Sequence, residues 1–301
     1  MTASAAQLLI EQTLNGVQLG IMLFLIAGGL TLVLGIMNLL NLTHGSFYML
    51  AAYIGVMVYG HSHSFLLAVL GAVAGAVAVA GVIEVLVMRH LYDRDHLGQV
   101  LATFGLLLFI NEMATVVWGE SPLQMHKPQW LDGSIELLPG IPYPAYRLAI
   151  TAVGLVVTLA LHYGNNHTRV GMLIRAGASN KRMLGALGVN VDRVYAMVFC
   201  LGVALAAVAG VMVAPLVSVD SGMGDSILIL CFVVITIGGM GSVRGAFLAS
   251  LLVGLVDTFG RTFLPQAFGY TLGPALSSMC IYMLMALVLL VRPEGLFPAR
   301  G

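Results

Sequence analysis

Charge is what this sequence has least of. Only 9% of its 301 residues are Asp, Glu, Lys or Arg, with 13 of each sign, whereas a soluble domain needs roughly a quarter of its residues charged. Between Glu11 and Glu84 there is no charged residue at all. Lysine occurs only as Lys127 and Lys181, and neither follows a glycine. The GxxxxGK[ST] phosphate cradle is therefore absent, and any ATP used must be bound by another chain. Cys200, Cys231 and Cys280 lie singly in apolar runs without CxxC spacing, which argues against a disulfide framework or thiolate metal site. Met1–Gln18 holds no Lys or Arg, so the positive region of a secretory signal is missing. No HExxH or paired catalytic constellation is present, which excludes a membrane protease, and no basic or acidic tail suits nucleic acid. His61-Ser62-His63 offers two ligand types but no third, and reads as exposed histidines in an outer turn. The expectation is neither an enzyme nor a metal or cofactor protein.

What is present is apolar: 59% hydrophobic residues and mean hydropathy +0.99, the composition of an integral membrane protein. Gln12–Thr43 and Tyr195–Val219 are continuous runs, unlike the alternation over about 10 residues of barrel strands, so the spans are helices. A helix crosses a ~30 Å hydrocarbon core in about 20 residues. On that measure Leu14–Ile36, Phe65–Met88, Gln99–Trp118, Arg147–Tyr163, Val194–Leu216 and Gly273–Val291 are full spans. Phe47–Gly60, Ser226–Ile237 and Ala246–Gly260 are too short to cross alone. The fold class is thus an all-α polytopic membrane protein of about 8–9 transmembrane or partial helices, in a single domain over 1–301.

Cytoplasmic loops carry an excess of Lys and Arg. His167–Arg193 holds five basic residues against Asp192, which assigns it to the cytoplasm. Alternation then puts Arg89–His96 and the C-terminal end inside. Gly119–Tyr146 and Ser218–Asp225, with their acidic residues, fall outside, as does the N-terminus if the short segments pair as hairpins.

Residues 35–53, GIMNLLNLTHGSFYMLAAY, form a polar, turn-prone island in the longest charge-free stretch. It has an echo: His44-Gly45-Ser46-Phe47 recurs as Arg244-Gly245-Ala246-Phe247, each after a turn containing Gly and Met. Irregular backbone at membrane depth survives only where protein or a water-filled cavity satisfies it, and such breaks in corresponding positions point to a transport pathway. Asn38, Asn41, Thr43, His44 and Arg244 are accordingly expected along the substrate path, with Thr43 capping the returning helix. Intramembrane ionisable residues are functional candidates by default. Glu84 with Arg89, and Asp257 with Arg261, read as structural pairs, whereas Glu112 has no basic residue three or four positions away and joins the pathway set. Gly71, Gly75 and Ala78 read as close helix packing.

Several stretches carry a family resemblance: Gly28–Gly55, Ile83–Gly119 and Arg169–Pro215, then IGGMGSVRGAFLASLLVGLVD and the terminal RPEGLF. In that order they resemble the permease subunits of branched-chain amino-acid ABC importers, specifically the shorter of the two permeases that such systems pair. Val87-Met88-Arg89-His90-Leu91 departs from the basic-Pro pair common there, which puts the shape of that helix end in question. The resemblance implies inward amino-acid transport across the bacterial inner (plasma) membrane, driven by ATP bound on partner subunits. It also implies a second permease subunit, two ATP-binding subunits and an external solute-binding protein, besides membrane lipid. Residues 164–193 would dock the ATPase through Arg175, Lys181, Arg182, Leu184, Leu187 and Gly188, with Gly185 and Gly188 ending the helix there. The alternatives are a self-sufficient transporter or channel for small polar solutes, and an ABC permease for urea, amides or aromatic acids.

Overall fold

The computed structural model describes residues 5–92, 94–138 and 141–297. The chain is a bundle around α1 (Ala5–Met37), whose apolar length is nearly all buried. After the break at Asn38–Thr43 come α2 (His44–Ser62), α3 (Phe65–Ile83), a π turn over Glu84–Met88, α4 (Arg89–Leu91) and α5 (His96–Trp118). The loop after α5 carries a two-stranded antiparallel hairpin, β1 (Ser134–Leu138) and β2 (Ile141–Pro144). Then follow α6 (Ala145–His167), α7 (Arg169–Ser179), α8 (Lys181–Ala186), α9 (Val191–Val213), α10 (Met223–Gly238) and α11 (Val243–Val291). Among the described residues, six helices are long and apolar enough to cross a membrane. The hairpin is an addition to the all-α expectation. Pro142 and Pro144 remove donors that a helix would need.

Most expected spans recur with longer ends, and the short segments change most. Phe47–Gly60 becomes α2, 19 residues from His44, because His44, Gly45 and Ser46 are helical and buried instead of forming the turn. Ala246–Gly260 and Gly273–Val291 become the two arms of α11, bent at Gly269 (φ 81°, ψ 164°). Polar residues near Asp257 do not stop the first arm, because Arg261 Nε bonds Asp257 Oδ2 at 2.7 Å one turn on, pairing the two opposite charges within the helix. The arms fold back on each other: Ser277 Oγ donates to Gly260 O at 2.8 Å.

Glycines set the closest crossings. A Cβ at Gly29 of α1 would lie 2.6 Å from Gly202 O on α9, so these backbones touch in the small-residue manner of membrane helices. On α3 the buried stripe is Ala68, Ala72, Ala76 and Ala80. Gly71 and Gly75 meet Val58 and Ile54 of α2, while Ala78 is exposed and takes no part.

The end of α3 answers the departure at Val87–Leu91. Glu84 and Arg89 are five apart, a spacing that does not align in an α-helix. The π turn places Arg89 N–H on Glu84 O, so the side chains stack too. Arg89 Nη2 meets Glu84 Oε2 at 3.1 Å and Tyr92 donates its hydroxyl to Oε1 at 2.9 Å. Burial, then the bond to Glu84, push the Tyr92 hydroxyl well above its ordinary range, which keeps it a donor.

Candidate functional site

The first break climbs back into the bundle. His44 Nε2 lies 3.1 Å from Ile26 O, and because a carbonyl only accepts, Nε2 carries the hydrogen. Ile26 is eleven residues before the end of α1, so α2 begins about 16 Å above that end at 1.5 Å per residue. The second break matches it in depth. Phe247, at the same place in the echo as Phe47, packs edge-to-face on Phe24 of α1 at 5.2 Å, and Phe47 packs likewise on Phe199 at 5.7 Å.

Inside the first break the polar groups serve the backbone. Asn41 Oδ1 accepts from Thr43 N–H at 3.0 Å, an Asx turn. Thr43 makes no capping bond, correcting the expectation. Its hydroxyl donates instead to Thr103 O on α5 at 3.0 Å, while the Thr103 hydroxyl is shared between Gln99 O of its own helix at 2.9 Å and Leu40 O at 3.2 Å. Asn41, Thr43 and His44 are fully buried, and Asn41 Nδ2 and His44 Nδ1 have no partner among the described residues. The second break is capped by a side chain, Ser242 Oγ accepting from Gly245 N–H at 3.1 Å. Asn38, exposed and at positive φ (52°), lines a 390 Å³ cavity with His96, Met240 and Gly241 at the end of α1. Arg244 is also exposed.

Above the break lies a polar chain that the sequence reading missed. Ser46 Oγ donates to Asn111 Oδ1 at 3.1 Å, and Asn111 Nδ2 donates to the Asp225 carboxylate at 3.1 and 3.3 Å. It ties α2, α5 and the first turn of α10 together where Gly45 and Gly224 bring two backbones into contact. Glu112 points elsewhere. It is exposed, on a face of α5 shared with Leu108, Phe109 and Met113.

The segment after α6 is built from three caps in series. Thr168 Oγ1 accepts from Gly171 N–H, Asn180 Oδ1 from Met183 N–H and Asn190 Oδ1 from Arg193 N–H, starting α7, α8 and α9. α7 lays Gly171, Ile174 and Gly177 inward and turns Met172 and Arg175 outward. Leu184 is buried at 3% exposure, an anchor and not a docking contact, whereas Met183 and Leu187 are 59% and 74% exposed. Gly185 stays within α8. Gly188, at φ 81°, closes it: Val189 N–H reaches Leu184 O and Gly188 N–H reaches Gly185 O, the Schellman pattern. The side chains of Lys181 and Arg182 lie outside the described residues.

Residues 12–289 match the family described as "Branched-chain amino acid transport system / permease component". The chain belongs to this permease family. The permease is 29% identical to the high-affinity branched-chain amino acid transport system permease protein LivH of Salmonella typhimurium, over 95% of this chain and 94% of the relative. It is likewise 29% identical to the corresponding protein BraD of Pseudomonas aeruginosa, over 95% of each chain. Among solved structures it shares a fold with PsaBC from Streptococcus pneumoniae in complex with Fab, at TM-score 0.51 and 13% identity, covering 93% of the permease and 91% of that chain. The permease is therefore a multi-pass membrane protein with the function of an ABC importer permease.

Proposed function

We propose that the permease carries branched-chain or related small amino acids inward across a bacterial inner membrane, with a second permease subunit, two ATP-binding subunits and an external solute-binding protein. The observation that carries the partner reading is the cytoplasmic face: Met172, Met183 and Leu187 are 56%, 59% and 74% exposed beside exposed Arg175. These apolar side chains, on rigid capped helices with basic neighbours, suit a groove in an ATPase. Leu184 and Gly188 then hold the docking segment in shape, and Arg182 and Lys181 supply its basic flank.

The face of α5 supports a second permease. A carboxylate held against lipid costs up to about 2.5–3.5 kcal/mol, the value at a helix centre on insertion scales, and Glu112 stands on an exposed face of α5. A partner permease covering α5 would place Glu112 along the path between subunits. Asn38 and Arg244, exposed at the two breaks, are the other pathway candidates. Asn41, Thr43 and His44 then shape the path by holding the break. The test is reconstitution with co-encoded ATPases and binding protein. ATP-dependent leucine uptake that Met183→Asp with Leu187→Asp abolishes, together with ATPase co-purification, is the expected result. Undiminished co-purification with that double variant refutes the docking surface.

A further inference from the structure

A second cavity, of 430 Å³, opens at the outer end of the bundle between α1, α6, α10 and α11, within the range of small-ligand sites. Its rim is polar and its floor apolar. Asp257 and Arg261 line it from α11, Arg147 from α6, and Leu19, Met22 and Ile227 lie below. Arg147 Nη1 is held by Asn15 Oδ1 at 2.7 Å and Gln18 Oε1 at 3.4 Å. Arg261 has only its Nε engaged in a described hydrogen bond, to Asp257 Oδ2. Asp257 is 5% exposed, and its other oxygen, Oδ1, is buried without a partner among the described residues. A carboxylate seeks several donors, and an unsatisfied buried oxygen beside a cavity marks a place for one.

We propose that this cavity is an amino-acid docking site within the permease itself. The Asp257 carboxylate turns Oδ1 toward the cavity to accept from the α-ammonium, the fork of Arg261 takes the α-carboxylate, and an apolar side chain rests on Leu19, Met22 and Ile227. The ion pair already sets one negative and one positive group side by side, which is the complement of a zwitterion's adjacent charges. Guanidinium suits the planar carboxylate because two parallel N–H groups can bond both oxygens. The floor includes Ile26 and Tyr48. Ile26 is the residue whose carbonyl holds His44, so the site stands directly over the first break. This assignment rests on the reading of the chain as an amino-acid importer subunit and adds where it holds its substrate.

The experiment uses the assembled transporter in sealed vesicles, with Cys200, Cys231 and Cys280 replaced by alanine and Thr258, which lines the cavity, replaced by cysteine. Free leucine, without binding protein, should slow outside labelling of Thr258→Cys by an impermeant methanethiosulfonate. 4-Methylpentanoate, lacking the ammonium, and isoamylamine, lacking the carboxylate, should not. Asp257→Asn should raise the leucine concentration needed by about tenfold or more, as expected for loss of a charge-assisted hydrogen bond, with ATPase stimulation by the binding protein retained as proof of folding. If that variant fails to assemble, the two analogues on the Asp257 protein decide the matter. Equal protection by leucine and both analogues, or none by leucine while the complex imports leucine, overturns the site and leaves the importer reading standing. A complex that imports no amino acid overturns both.

Discussion

Replacing Asn111 by leucine isolates the polar chain above the break. The two side chains share the same branching and number of heavy atoms, and leucine is the bulkier, so the change removes hydrogen bonds without opening a cavity. One amino group bonds both oxygens of Asp225 at 3.1 and 3.3 Å and counts as one charge-assisted bond, worth about 1.5–3 kcal/mol. The carbonyl gives up Ser46 Oγ at 3.1 Å, about 0.5–1.5 kcal/mol. The sum is about 2–4.5 kcal/mol. Measured side-chain hydrogen bonds in membranes run lower, averaging about 0.6 kcal/mol with a maximum of about 1.7 kcal/mol, because the unfolded chain also finds partners. Expected coupling between Asn111 and Asp225 is therefore about 1–2 kcal/mol, at the upper end because the acceptor is a carboxylate. The assay is a double-mutant cycle of Asn111→Leu and Asp225→Leu, read by detergent-driven unfolding of the purified permease. Coupling within about 0.3 kcal/mol of zero refutes the chain as an energetic link. Asn111→Asp, which sets a second carboxylate against Asp225, should destabilise more than leucine does.

Three other outcomes follow from the geometry. Gly29→Ala places a Cβ 2.6 Å from Gly202 O and 3.0 Å from Gly202 Cα, which forces α1 and α9 apart; overpacking of this kind costs about 1–3 kcal/mol, measurable by the same unfolding assay. Leu184→Asp buries a charge at a 3% exposed position and should expose the α7–α8 segment to protease, whereas Leu187→Asp should leave stability within about 0.5 kcal/mol while weakening ATPase binding. Cysteine at Ser179, exposed at the end of α7, should be labelled only from the cytoplasm in a background lacking the native cysteines. Labelling from outside in sealed cells overturns the orientation.

The long spans were legible because hydropathy alone decides them: Gln99–Trp118 and Arg147–Tyr163 each lie within an observed helix. The short elements were not: Ala246–Gly260 was ended at Gly260 although Asp257 and Arg261 already read as a pair, and the helix runs on through it. Asn111 takes up Ser46 across helices, a pairing no local spacing announces. The caps at Thr168, Asn180 and Asn190 could have been found, since each is followed by a helical run and the amide it accepts is three residues on. Leu184 and Leu187 show the opposite limit. Both are apolar and three apart in a basic amphipathic stretch, and only the packing of α7 and α8 puts one inside and one out.

The polarity of the 35–53 island follows from depth. A helix that starts about 16 Å inside the bundle exposes N–H groups with no intrahelical partner, and the segment leading to it has carbonyls in the same position. Lipid can satisfy neither. Asn41 therefore turns to Thr43 N–H, Thr103 takes Thr43 and reaches Leu40 O, and His44 reaches back to Ile26 O. Asn41, Thr43, His44 and Ser46 each account for a backbone group or tie the break to a neighbouring helix, whereas Asn38 faces outward. What holds the break is thus a small set of bonds to α1 and α5. Of these helices α1 is enclosed, while α5 presents much of its length, including Leu97, Leu101, Phe104 and Leu108, to the outside. A shift of α5 would strain the Thr103 and Asn111 links together, whereas the His44 bond to α1 would stay. On this argument Thr103→Val, which keeps the shape but removes the hydroxyl, should loosen the link to Leu40 and leave the α1 side intact. Faster hydrogen exchange at Leu42–Ser46 with unchanged exchange in α1 is the expected result, and uniform exchange in both would place the control of the break elsewhere.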